Sequence, residues 1–301
     1  MLKIGLLGVG HLGKIHLKLL KEIEGVHLVG FYDPNTALST EIEANYGVTS
    51  FANPESLMTD CDAVDIVTPT ITHFDLMNMA IANRKHIFVE KPLVSSRAET
   101  MKLKEMCSSN DLKIQVGFVE RFNPAVKASS SFIQDPVFIE SHRYSAYPLR
   151  GTDVSVVLDM MIHDIDLIAS WVKSPIQKVQ AKGWKYLSPS DDVAKALLTF
   201  ENGTIASVTA NRFSSEKRRS TVVYQNNNQI SIDFLNKKVE IIKQGETVPF
   251  MPQIVESNAI KEELTAFVNS ITLNHPVAVP LTEGIQSMDI AFQIIEQINN
   301  R

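Results

Sequence analysis

Asp159 and His163 stand four residues apart in the run Leu158-Asp159-Met160-Met161-Ile162-His163-Asp164-Ile165-Asp166-Leu167. On a helix that spacing puts a carboxylate and an imidazole on one face, with Asp166 three past the histidine on roughly the same side. The other positions are Leu, Met and Ile, so the spacing predicts a buried helix with its ionisable groups on one stripe. Buried ionisable groups cost free energy unless they are paired or used. A carboxylate near a histidine orients the ring and raises its basicity, as a general base for a hydroxyl proton requires. The same residues would also serve as a satisfied polar network tying helix to sheet. A metal site is disfavoured: the spacing lacks HExxH or HxH regularity, and no third ligand is visible.

A second candidate is Lys91, in Glu90-Lys91-Pro92, which follows the apolar run His86–Val89. Pro92 restricts Lys91 and suits a cis bond. An ammonium fixed at a strand end is a candidate neighbour for a nicotinamide; the competing reading is a surface salt bridge. Strand Ala63–Thr68 runs into Pro69, Thr70 and, further on, His73. His73 suits a place near a ribose and equally a helix surface.

The third constellation is Gly8, Gly10 and Gly13 in LKIGLLGVGHLG. An apolar run ends in Gly-x-Gly-x-x-Gly, and a helical pattern starts at His11 and Leu12. Gly8 permits the tight turn, Gly10 lets backbone approach a pyrophosphate, and Gly13 lets helix and strand pack closely. The helix N-terminus supplies free N–H groups for the phosphates. About twenty residues on, the run VHLVGFY ends in Asp33, placed to accept from the adenine-side ribose hydroxyls. A 2′-phosphate would meet that carboxylate, and Pro34 and Asn35 offer no arginine, so NAD is expected in preference to NADP.

These residues need a frame. Strands are expected at Leu2–Leu7, His27–Tyr32, Ala63–Thr68, His86–Val89 and Lys113–Gly117, with helices at Thr36–Asn45, Ile71–Asn83 and Arg97–Asn110. A short strand near Val48–Ser50 precedes a turn at Asn53–Pro54. Such alternation predicts a doubly wound parallel sheet, with its ligand at the carboxyl ends of the strands. After Gly117 the pattern changes. A turn-rich connector, Phe118–Pro124, precedes a strand at Pro136–Ser145, a polar loop with Gly151 and helix Val154–Val172. Six further strands follow between Ile176 and Lys243, with a hairpin turn at Glu201–Asn202–Gly203, and then helices at Asn258–Ile271 and Glu283–Asn299. This predicts an α+β region with a large open, mostly antiparallel sheet.

The chain has 301 residues, 44% hydrophobic and 21% charged, which suits two globular domains. A net charge of −5 gives no overall field for nucleic acid. The cluster Lys217, Arg218, Arg219 suits a local loop or an anionic substrate. Cys61 and Cys107 show no ligand spacing and read as reduced thiols of a cytoplasmic protein. The first strand is expected to begin at Leu2, so no signal peptide is expected, and no run is long enough for a membrane helix.

Taken in order, GVGHLG, VTPTITH (Val67–His73), VEKP (Val89–Pro92) and Asp159-x-x-x-His163 resemble the glucose–fructose oxidoreductase / inositol dehydrogenase / MocA family over nearly the whole chain. The resemblance implies a Rossmann domain at 1–118 holding NAD through Gly8, Gly10, His11, Leu12, Gly13, Asp33, Thr68, Pro69, Thr70, His73, Glu90 and Lys91. It implies a substrate and oligomerisation domain at 119–301, with the last helix able to return toward the first. Lys91 would touch substrate and nicotinamide ribose, His163 would be the general base, and Asp159 would assist it. The partners implied are a sugar or nucleotide sugar and further copies of the chain, as a homodimer or homotetramer. Gly117–Pro124 (GFVERFNP) and LDMMIHDIDL resemble the branch that oxidises UDP-N-acetylglucosamine at its 3-hydroxyl, with Arg121 and Asn123 near the substrate. Many relatives carry a glycine run where Ser155–Leu158 stands here, which leaves the substrate's shape open. Two other readings fit the same fold: an NAD-binding regulator without turnover, and an enzyme whose tightly held NAD is reduced and reoxidised in one cycle.

Overall fold

The structure, a computed structural model, describes residues 1–106, 111–147 and 154–300. Cys107, the end of the helix expected to reach Asn110, and the loop with Gly151 lie outside the described residues. The chain forms two compact units, Met1–Val119 with Asn258–Ile285, and Glu120–Ser257 with Gln286–Arg301.

In the first unit, β1 (Leu2–Leu7), β2 (Val26–Tyr32), β3 (Ala63–Ile66), β4 (His86–Glu90) and β5 (Ile114–Gly117) form a parallel sheet in the order β2-β1-β3-β4-β5. The order reverses direction at β1, where an open α/β sheet leaves a crevice at its strand ends. β3 and β5 are buried throughout, as strands covered on both faces must be. The connecting helices are α1 (His11–Glu22), α2 (Thr36–Tyr46), α3 (Pro54–Asp60), α4 (His73–Ala82) and α5 (Arg97–Met106). Helix α3 stands where the sequence suggests only a turn. Its signals are local: Asn53 Oδ1 accepts from Ser56 N–H at 2.8 Å, and Pro54 opens the first turn. The expected strand near Val48–Ser50 is reduced to one bridge, Phe31 with Ser50.

The second unit begins with a short helix, α6 (Pro124–Ser129). Its sheet comprises β6 (Phe138–Tyr144), β7 (Ile176–Trp184), β8 (Val193–Phe200), β9 (Ile205–Asn211), β10 (Arg218–Tyr224), β11 (Asn228–Asp233) and β12 (Lys238–Lys243). The order is β12-β11-β10-β6-β9-β8-β7, with every pairing antiparallel except β6 with β9. Burial alternates along the strands, as in β8, where Ala194, Ala196, Leu198 and Phe200 face the core. Helix α7 (Ile162–Val172) packs on β6 and β9. Gly203 takes a φ of +88° in the β8–β9 turn, a conformation that favours glycine.

The first unit is discontinuous in sequence: it includes Asn258–Ile285, which a division into 1–118 and 119–301 leaves in the second. Helix α8 (Ala259–Thr272) lies in this segment, and α9 (Leu281–Asn299) begins there. Leu264, Phe267 and Val268 share a buried cluster with Leu2, Ile4, Leu20, Ala63 and Phe88. Phe267 meets Phe88 edge to face, with centroids 5.8 Å apart and an interplanar angle of 65°. Gln115 Nε2 donates to Glu263 O at 2.9 Å, and Val116 N–H to Val279 O at 3.0 Å. The sheet's core is therefore completed from the far end of the chain. Phe267→Ala is expected to destabilise the protein by about 3–5 kcal/mol in urea unfolding. A loss below about 1 kcal/mol would show that α8 is not part of that core.

Candidate active site

The three glycines of the β1–α1 turn have three different surroundings. Gly8 has a φ of +91°, and a Cβ there would stand 2.7 Å from Val67 O. A Cβ on Gly13 would stand 2.1 Å from Gly8 O, so this position fixes the approach of helix to strand. A Cβ on Gly10 would meet nothing within 4 Å. Glycine at that position is not demanded by the protein's own packing; it leaves room for something else. Gly10 is also the N-cap of α1 and gives no side-chain cap, so the first N–H groups of the helix are left to a ligand. His11 is exposed beside it and Leu12 half-buried. Across the turn, Asp33 Oδ2 accepts from Val9 N–H at 3.0 Å and Oδ1 from Asn35 N–H at 2.9 Å. The carboxylate is thereby aimed along the glycine turn.

At the neighbouring strand ends, His73 is buried rather than exposed on its helix. Its Nε2 lies 2.9 Å from Thr68 O and its Nδ1 3.0 Å from Pro92 O. Burial holds the His73 pKa below its ordinary value, against the pull of those carbonyls. The ring links the loop after β3, which carries Pro69 and Thr70, to the turn after β4. Thr68 Oγ1 accepts from Thr72 Oγ1 at 2.7 Å. The Lys91–Pro92 bond is cis, and Lys91 N–H donates to Glu90 Oε2 at 3.2 Å.

In the second unit the Asp–His helix does not start as an α-helix. Val157–Met161 is one π-helical turn, in which Ile162 N–H reaches Val157 O, and the α-helix follows from Ile162. Wide turns of this kind are frequent at functional sites. Asp159 lies within it and His163 just after it. Both are half-buried, whereas Asp164 and Asp166 are fully buried. Arginines account for that difference. Arg143, 2% exposed, donates from Nε and Nη2 to Asp164 at 3.0 and 2.9 Å, and from Nη1 to Glu120 at 2.8 Å. Burial pushes the Glu120 carboxyl up, but Arg143 and Arg219 outweigh it and leave it below its ordinary value. Arg121 grips Asp166 from Nε at 2.6 Å and Nη2 at 2.9 Å, and Ser287 adds a hydroxyl at 3.4 Å. Asn123 caps α6 through Oδ1, while its Nδ2 donates to Glu120 Oε2 and Phe234 O.

The entry to the π-turn is clamped by Arg212, which is fully buried. It donates to Asp192 Oδ1 at 3.0 Å and to Val154 O at 2.8 Å. Asp192 Oδ2 also accepts the backbone N–H groups of Tyr186, Leu187 and Ser188. Despite burial, those bonds hold Asp192 well below the usual carboxylate range. Arg218 and Arg219, expected in a loop or against an anionic substrate, form the start of β10. Arg219 lies 3.6 Å from Glu120, and the charge of Asp159 reaches it.

Sequence reasoning missed His16, Asp65, Glu120, Arg143 and Asp164. An aspartate inside the apolar strand AVDI was the available signal for Asp65. The partners of Asp164 and Glu120 lie far along the chain and leave no local mark. Among the described residues no three His, Cys, Asp or Glu are placed to hold a metal ion, and no helix is long and apolar enough to cross a membrane. Cys61 is a buried free thiol whose pKa burial pushes up to about 11.

Residues 2–118 match the family model described as an oxidoreductase family with an NAD-binding Rossmann fold, and residues 130–231 match the GFO/IDH/MocA C-terminal domain. The UDP-N-acetylglucosamine 3-dehydrogenase of Acidithiobacillus ferrooxidans is 30% identical over 97% of this chain and 96% of its own. The chain belongs to the GFO/IDH/MocA family. Its members are NAD(P)-dependent dehydrogenases that act on CH–OH groups. A solved structure of the Acidithiobacillus enzyme superposes with a TM-score of 0.93, covering 99% of this chain and 97% of that one. Scyllo-inositol dehydrogenase from Lactobacillus casei, solved with NAD(H) and scyllo-inositol, matches with a TM-score of 0.80 and 25% identity, covering 99% of this chain and 97% of that one.

The GFO/IDH/MocA cofactor suits the β1–α1 turn on its own geometry: open space at Gly10, an uncapped helix start and a carboxylate aimed beside it. Gly10→Ala is expected to leave thermal stability within about 0.5 kcal/mol of wild type while weakening NAD binding about tenfold or more. Calorimetric titration beside thermal unfolding checks both. Unchanged affinity would remove the turn from the binding site.

Proposed function

We propose that the protein oxidises the 3-hydroxyl of UDP-N-acetylglucosamine or a close nucleotide amino sugar, with NAD as hydride acceptor. One observation carries the reading. Of the four ionisable residues on the Asp–His helix, Asp164 and Asp166 are buried against arginines, and only Asp159 and His163 stay partly accessible. The similarity to the Acidithiobacillus enzyme along nearly the full length of both chains supports the substrate class.

NAD would be held by Gly8, Gly10, Gly13 and Asp33, with the Thr68–Thr70 loop, His73, Glu90 and Lys91 beside it. When bound it supplies an acceptor for the hydride leaving the carbinol carbon. His163 takes the hydroxyl proton, and Asp159 orients the ring and favours its protonated form. Lys91, in the first unit, would offer its ammonium to negative charge that develops in the reaction. Arg121 and Asn123 contribute to substrate binding chiefly by shaping the wall, through Asp166 and Glu120. Arg219 offers a cation to a diphosphate. Exposed Leu197 and Ile205 on β8 and β9 suit a further copy of the chain against the outer sheet face.

His163→Asn is expected to lower kcat by about 10²–10⁴-fold and to remove the neutral-pH limb of the rate profile. An unchanged profile would reject His163 as base. Lys91→Ala is expected to lower kcat by about 10²-fold or more, far more than it lowers NAD affinity; full activity would end its assigned role. UDP-sugars and free polyols should be screened for reduction of NAD and NADP. Turnover is expected with UDP-N-acetylglucosamine and NAD. Inositol as the sole substrate would overturn the sugar assignment, and preference for NADP would overturn the role of Asp33 in selecting NAD.

A further inference from the structure

His16 projects from the second turn of α1 and is wholly shielded from solvent between two carboxylates. Nδ1 stands 2.9 Å from Asp65 Oδ2 on β3, and Nε2 stands 3.4 Å from Glu90 Oε1 at the end of β4. Phe88 meets the ring edge to face at 5.7 Å. Among the described residues, Asp65 and Glu90 are the charged groups that act on it. An imidazole that faces a carboxylate at each nitrogen favours two protons, since a neutral ring would turn a lone pair toward an anion; Nδ1 is hydrogen-bonded to Asp65, while Nε2 faces Glu90 as an ion-pair contact without a hydrogen bond. Burial pushes the imidazole pKa down, but Asp65, and after it Glu90, outweigh burial and raise it to about 10. Burial also pushes the Asp65 carboxyl up, against the opposing His16. The ring faces two carboxylates, whereas Asp65 faces one cation and the like charge of Glu90.

The arrangement continues past His16. Glu90 Oε2 accepts the Lys91 N–H at 3.2 Å. A Cβ on Gly117 would stand 2.9 Å from the Glu90 carboxyl carbon, so the absence of a side chain there seats the carboxylate. On the far side of the turn, His73 holds Pro92 O.

We infer that His16 is a positioning residue for Lys91: as an imidazolium it fixes the Glu90 carboxylate, which holds the Lys91 N–H and thus the turn presenting the Lys91 ammonium. This rests on the reading that Lys91 acts on the substrate. The charge also sets a pH window. With the folded value above the ordinary 6.5, the stabilisation is complete below about 6.5 and is lost as pH rises through about 10.

Nitrogen NMR of the full chain labelled at histidine tests the charge without any substrate, so its failure is separate from failure of the substrate reading. Two protonated ring nitrogens are expected for His16 at about pH 8; a neutral ring there overturns the inference. Steady-state kinetics of His16→Asn and Glu90→Gln, with whichever substrate the wild type turns over, test the positioning. A kcat loss of about tenfold to a hundredfold is expected, because small misplacements of a reacting group cost that much. For His16→Asn, which lies outside the proposed NAD site, the NAD dissociation constant should stay within about threefold. An unchanged kcat, or an equal loss in kcat and NAD affinity, overturns the inference. Should neither variant fold, Asp65→Asn removes one carboxylate from the ring. Its kcat, relative to wild type, is then expected to fall as pH rises from about 7 to 9; parallel profiles overturn the inference.

Discussion

Each unit buries a cationic side chain against two acidic ones. Such a charge is tolerated only when acidic groups are brought to it, since leaving one unpaired costs several kcal/mol. In the second unit Arg143 draws Asp164 from α7 and Glu120 from the start of the unit. In the first, His16 draws Asp65 from β3 and Glu90 from β4. In both, one of the two anions adjoins a residue assigned to chemistry: Glu90 precedes Lys91, and Asp164 follows His163. The buried pairs fix backbone, and their half-buried neighbours are the residues assigned to the proposed reaction.

That division of labour explains which parts of the site could be read in the sequence. The Gly8–Gly13 turn and Asp33 were legible because their roles are local and leave a fixed spacing. Asp159 and His163 were legible as a pair, but the π-turn between Val157 and Met161 was not, since nothing in the pattern of Leu, Val and Met separates a wide turn from an ordinary one. Asp166 looked equivalent to Asp159 until Arg121, 45 positions away, claimed it. Arg143 lies in a strand whose alternation predicts an inward residue without saying that its charge would be matched. The parallel sheet followed from periodicity. Helix α3 did not, because seven residues are too few to show a stripe.

The cradle proposed for NAD relies more on backbone than on side chains. Asp33 is aimed by two peptide N–H groups, and Gly10 works through the absence of a Cβ. Selectivity built in this way tolerates much variation on the surrounding helix faces, provided Gly13 keeps α1 close to β1. It fits a family in which 30% identity accompanies a nearly superposable fold.

The return of Asn258–Ile285 to the first unit bears on the order in which the molecule can be made. A domain that is continuous in sequence can fold as it leaves the ribosome. This one has Leu264, Phe267 and Val268 still unsynthesised when its five strands are already out. At translation speeds of about 5–20 residues per second, the sheet waits about 8–30 seconds with the face beside α1 only partly covered. Vectorial synthesis therefore gives the second unit's strands time to pair before α8 is made, and Gln286–Arg301 then complete the second unit after the first.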